Sequence, residues 1–124
     1  MGIIHRYQDQ FNWAGVKLSS YPSGKEAKGV SVRWLIGLAE KAPNFALRYF
    51  EIEPGGWSSL DQHEHDHGVV ILRGRGQVRL EDETFEIGFG DVVYIPPDEV
   101  HQFKNIGSEP LGFLCIIPPK EKRE

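Results

Sequence analysis

Apolar and polar residues alternate in short runs along most of this chain, and turn residues interrupt the runs every few positions. Val30-Ser31-Val32-Arg33-Trp34-Leu35-Ile36-Gly37-Leu38 opens with the period of two that marks a half-buried strand. Phe45 to Glu53 carries the same pattern into Pro54-Gly55-Gly56, which is expected to end it. Further strands are predicted over 67–73, 76–81, 84–87, 91–95, 100–106 and 111–117, with residues 39–44 a loop or helical turn broken by Pro43. Turn signals separate the strands at Arg73-Gly74-Arg75-Gly76, Glu81-Asp82-Glu83, Gly88-Phe89-Gly90, Pro96-Pro97-Asp98 and Gly107-Ser108. No long amphipathic helix and no solenoid-type repeat accompanies them. Short strands at this density predict an all-β barrel or sandwich rather than βαβ units.

Residues 1–29 are polar and irregular, with turn signals at Pro22-Ser23-Gly24 and Gly29, and read as an amino-terminal arm bearing one or two short strands. Residues 30–119 form the barrel, and 120–124 a charged, frayed tail. With 124 residues, 40% of them hydrophobic, the chain can bury one core without help from disulfides. Fourteen glycines and eight prolines agree with frequent turns.

Charge and composition exclude several classes of function. The net charge is −4, and Arg73, Arg75 and Arg79 are interleaved with Glu81 and Asp82, so no nucleic-acid partner is expected. The longest apolar runs, such as Phe113-Leu114-Cys115-Ile116-Ile117, are far too short for a membrane helix, and Met1-Gly2-Ile3-Ile4-His5-Arg6 has no apolar core of a signal peptide. The lone Cys115 cannot form an internal disulfide, which fits a reducing compartment and a cytoplasmic location.

The candidate chemistry lies in two histidine clusters. Asp61-Gln62-His63-Glu64-His65-Asp66-His67 follows Gly55-Gly56, and Val100-His101-Gln102 follows Gly90 and Pro96-Pro97. Neutral imidazole is the commonest metal ligand, and a carboxylate adds affinity for harder ions such as Mn(II) and Fe(II). Asp61, His63, His65, His67 and His101 are therefore the candidate ligands of one divalent ion: Mn, Fe, Zn or Ni. Positions i and i+4 on a straight strand lie about 13 Å apart. If His63 and His67 share an ion, the chain must bend between them. Arg48 shares a strand face with Phe50 and Ile52, and a structural ion pair is expected of it ahead of contact with an anionic substrate. Phe103 shares strand parity with His101 and should point inward. Trp57 and Tyr94 read as packing residues, Asn105 as a turn or strand-end residue, and Cys115 as a small buried hydrophobe.

These segments resemble the two cupin motifs. In the family the first runs Gly, five residues, His-x-His, three or four residues, Glu, six residues, Gly. The second runs Gly, five residues, Pro-x-Gly, two residues, His, three residues, Asn. Gly90, Pro96, His101 and Asn105 match the second at the family's spacing, with Asp98 where the family has Gly. Ala42-Pro43-Asn44-Phe45 through Gly56, and Phe113-Leu114-Cys115, are similar to small single-domain bacterial cupins. The first motif departs from the pattern. Counted back from Gly74, His67 occupies the Glu position, His63 the second His and Asp61 the first. In the rival alignment His63 and His65 are the pair, with a spacer of one residue before His67. Either Asp61 or His65 is then the fourth ligand.

The resemblance implies a double-stranded β-helix, or jelly roll, and a homodimer formed through the arm or an outer sheet face. It implies either a metalloenzyme of oxygenase-like or isomerase-like type acting on a small organic molecule, or a non-enzymatic small-molecule-binding or sensing module. No residue is assigned a catalytic role from sequence.

Overall fold

The computed structural model describes residues 2–20 and 26–119; the turn expected at Pro22-Ser23-Gly24 and the tail 120–124 lie outside the described residues. Nine strands follow one another: β1 (Leu18–Ser20), β2 (Lys28–Ile36), β3 (Ala46–Trp57), β4 (His67–Arg73), β5 (Arg75–Leu80), β6 (Glu83–Gly88), β7 (Val92–Ile95), β8 (His101–Asn105) and β9 (Leu111–Ile117). A single 3₁₀ turn, Leu38–Glu40, follows β2. All pairings are antiparallel, and the strands join in the order β6-β5-β8-β3-β9-β4-β7, with β2 added to β3 and β1 to β2. The sheet curls on itself in the jelly-roll manner that the alternation predicts. No helix among the described residues is long and apolar enough to cross a membrane.

The concave face collects the alternate apolar positions: Val32, Phe50, Ile52, Val69, Ile71, Val78, Phe103, Leu111, Phe113 and Ile117 form one buried cluster. Phe103 stacks on Phe113 at 4.6 Å, so it points inward as its parity requires. Strand ends are sealed by side chains. Asn105 is 5% exposed, donates to the carbonyls of Ile52 and Glu109, and accepts from the Gly107 amide. It latches the end of β8, as a strand-end residue.

One expectation is corrected. Pro54-Gly55-Gly56 does not terminate β3 but lies inside it. The register passes from Val30↔Ile52 to Lys28↔Trp57, so β3 carries extra residues over this stretch, and Trp57 then reaches Lys104 of β8. A Cβ at Gly56 would collide with the Lys28 carbonyl oxygen, and Gly55 has φ +80. The glycines thus permit a bulge that turns β3 from one neighbour to the next. The amino-terminal arm, read as polar and irregular, supplies aromatic cover. Phe11 stacks on Tyr49 at 5.1 Å and Trp13 tilts against the same ring at 5.4 Å. Tyr49 is fully buried on the outer face of β3. Its hydroxyl donates to Glu51, which also takes a 2.7 Å ion pair from Arg73. Burial and the adjoining Glu51 carboxylate push the Tyr49 phenol far above its ordinary value.

Candidate metal centre

The two histidine segments meet because Asp61 and His101 form an isolated antiparallel bridge. Each amide donates to the other's carbonyl at 2.9 Å. Directly opposed residues of an antiparallel pair project to the same side, so the Asp61 and His101 side chains leave this bridge on one face. The Asp98 amide donates to the His63 carbonyl at 2.6 Å, and the Gln62 side-chain amide donates to the Asp98 carbonyl at 2.8 Å. Asp98 has φ 65. Among residues with a side chain, aspartate tolerates that left-handed conformation better than most, which explains how it stands in a position expected to hold glycine.

Bends at Glu64 and His65 precede β4, which begins at His67. The chain therefore folds back, as the shared-ion geometry demands, and the His63 and His67 ring centroids lie 5.3 Å apart. His63, His67 and His101 each offer a nitrogen, and these donor atoms all lie within 4.8 Å of one another. His67 is 7% and His101 5% exposed. The His101 Nδ1–H is positioned to donate to the Glu99 carbonyl at 2.9 Å, which directs Nε2 into the cluster. His67 holds Nδ1 3.5 Å from the Cys115 sulfur, while its buried Nε2 has no hydrogen-bond partner. A buried ring nitrogen with no protein partner, beside two further imidazoles, is a donor that could hold a metal ion. Burial first, and then the neighbouring His101, His65, Arg48 and His63, lower the His67 pKa to about 3. The imidazole is thus held neutral, the form that binds a cation. The donor set fits a divalent ion.

The other two candidates border this group without belonging to it. Asp61 Oδ2 lies 3.8 Å from His63 Nε2 and accepts from Ser59 Oγ at 2.7 Å. The His65 ring stacks at 4.9 Å on His63 and 4.8 Å on His67. All five line a cavity of about 310 Å³ whose depth is apolar, walled by Phe50, Phe103 and Phe113.

Residues 48–117 match the model of the cupin domain, more than half of the chain. The chain belongs to the cupin family. It is 39% identical over 111 residues to the 1-methylthio-D-xylulose 5-phosphate methylsulfurylase of Rhodospirillum rubrum, covering 90% of this chain and 71% of that protein. The crystal structure of a cupin-2 domain from Rhodospirillum rubrum superposes with a TM-score of 0.84 at 35% identity, covering 98% of this chain and 80% of that one. A polyketide cyclase of Streptomyces resistomycificus superposes with a TM-score of 0.80 at 30% identity, over 95% and 79%.

Several cupin residues differ from their expected parts. Arg48 makes no ion pair among the described residues: its guanidinium lies over the Phe50 ring at 4.6 Å and the Trp34 ring at 5.4 Å, with Nη2 3.3 Å from the Cys115 sulfur. The cross-strand register explains this, because Trp34, Arg48 and Cys115 are direct partners on β2, β3 and β9. Cys115 is buried as expected, but it lines the cavity rather than only filling core. Tyr94 is not a packing residue: it is 60% exposed and donates to Asp66. Glu99, Ser59 and Gln62, which orient the cluster, were not legible in the sequence. They act through main-chain atoms or short-range contacts that residue type does not announce.

Proposed function

We propose that this cupin is a metal-dependent enzyme acting on a small organic molecule bound in the barrel cavity, with one divalent ion held by His63, His67 and His101. The convergence of three imidazole donors on one point at an apolar cavity carries the reading. Two ligands at about 2.1 Å from a shared ion stand roughly 3.0–3.4 Å apart, so the Asp61 carboxylate, 3.8 Å from His63 Nε2, needs only a small shift to become the fourth ligand. Its side-by-side register with His101 favours it over His65, which we place at the rim as a proton-handling group. Such an ion would supply Lewis-acid polarisation of a substrate oxygen and, if Mn or Fe, an O₂ site for oxygenase chemistry. The protein's own part is to hold His101 in one tautomer through Glu99, to keep His67 neutral, and to exclude water with the three phenylalanines. Relatives that are a methylsulfurylase and a polyketide cyclase support an enzyme over a passive binding module.

The test is elemental analysis and titration with Mn(II), Fe(II), Zn(II) and Ni(II), followed by turnover and O₂ uptake across a panel of small polar substrates. One ion per chain is expected, lost in His63→Ala and His101→Ala and weakened more by Asp61→Asn than by His65→Ala. A protein that binds no ion refutes the reading, and one that binds it without turnover of any compound reduces it to a sensing cupin. We also propose a cytoplasmic homodimer. Tyr94 and Ile116 flank Gly68 on one outer row, Val92 pairs with Val70 beside it, and all three large side chains are exposed. Sedimentation showing a monomer would refute the dimer.

A further inference from the structure

Arg48 is the one buried charge of the cavity wall that the histidine cluster does not explain. It is 8% exposed and carries no carboxylate partner among the described residues. Among the described residues its Nε is buried without a partner, and the acceptor that Nη2 meets is the Cys115 sulfur. Sulfur is a weak acceptor. A guanidinium taken out of water without a counter-ion is costly, and folded proteins retain one where a ligand completes it. The rings of Trp34 and Phe50 on its flanks offset part of that cost through cation–π attraction. They also hold the guanidinium plane in place. A single sulfur atom separates it from the His67 ring, since Cys115 touches both.

We propose that Arg48 is the specificity-determining residue of this cavity and takes an anionic oxygen group, a carboxylate or a phosphate, of the bound molecule, whose neighbouring atoms then face the histidine cluster. This deepens the metalloenzyme reading by naming the substrate class as a small organic oxyanion. The placement of the rest of the molecule rests on that reading; the anion contact does not. The fork of N–H donors suits an oxyanion, and a neutral substrate would leave the charge uncompensated.

The experiment uses metal-free protein, so that coordination cannot mimic the contact. Acetate and inorganic phosphate are the probes, with sodium chloride at matched ionic strength as control. Binding is followed by the Arg48 Nε–H resonance and by tryptophan fluorescence, since Trp34 lies on the guanidinium. Saturable shifts with acetate or phosphate and none with chloride are expected, and the probe that binds more tightly identifies the group. Arg48→Gln should weaken that binding roughly thirtyfold, with Arg48→Lys in between, while the variant still takes up one Zn(II) per chain. If neither probe moves the resonance in the wild type, the proposal is overturned, whether or not the variants fold. Unaltered probe binding in a folded Arg48→Gln protein overturns it equally. Failure of the Zn(II) titration with the anion shift intact would refute the metal reading alone.

Discussion

Replacing His67 by leucine separates the metal centre from the core. The imidazole is buried with Nε2 unpartnered, and its Nδ1 meets only a sulfur at 3.5 Å. An unsatisfied buried polar group costs about 1–3 kcal/mol. Leucine of similar size removes that penalty and adds apolar contact, against a repacking cost of up to about 1.5 kcal/mol. The net for metal-free protein is a gain of about 1 kcal/mol. Unfolding entropy of roughly 2.1 cal/mol/K per residue over 124 residues converts this to a rise of about 4 °C in Tm. The wild type gains differently. An ion at a hundred times its dissociation constant stabilises by about 2.7 kcal/mol, near 10 °C for this chain. Calorimetric melts of both proteins, with and without Mn(II) or Zn(II), should show the variant ahead without metal and the wild type ahead with it. If His67→Leu lowers the metal-free Tm by several degrees, the ring is a packing element and its orphaned nitrogen costs nothing. If the variant keeps the full metal-induced rise, His67 is not a ligand.

Acid should destabilise the metal-free protein through the same ring. Its pKa is near 6.5 unfolded and about 3 folded, so the unfolded chain binds more protons between those values. Stability then falls as pH drops from about 6.5 toward 3, by up to about 1.4 kcal/mol per unit from this group. Urea melts of wild type and His67→Leu across that window should diverge, and parallel curves would refute the assignment. At Asp98, whose φ is 65, glycine should be tolerated within about 1 kcal/mol while Asp98→Val costs about 1–2 kcal/mol; equal effects of the two, measured by chemical denaturation, would show that the backbone there relaxes.

Much of the fold was legible in the chain. Short apolar or alternating runs bounded by turn residues marked β4, β5 and β7 to β9 closely, because each strand is short and must bury at least one face. Boundaries failed where backbone packing overrode local signals. Pro54-Gly55-Gly56 reads as a stop, yet the approach of the Lys28 carbonyl to Gly56 makes it a bulge within β3. The polar arm concealed Phe11 and Trp13, whose role exists only against Tyr49.

The two histidine clusters nominated Asp61, His63, His65, His67 and His101 as candidate ligands of one ion and left the choice between Asp61 and His65 open. What tertiary structure decided was proximity: the bend before β4 and the Asp61–His101 bridge set the donors together and placed Asp61, rather than His65, in register with His101. It also left Arg48 without the expected carboxylate among the described residues. Alternation tells which face a side chain takes, because that is a property of one strand. Its partner depends on the register between strands distant in the chain, and Trp34, Arg48 and Cys115 become neighbours only when β2, β3 and β9 pair.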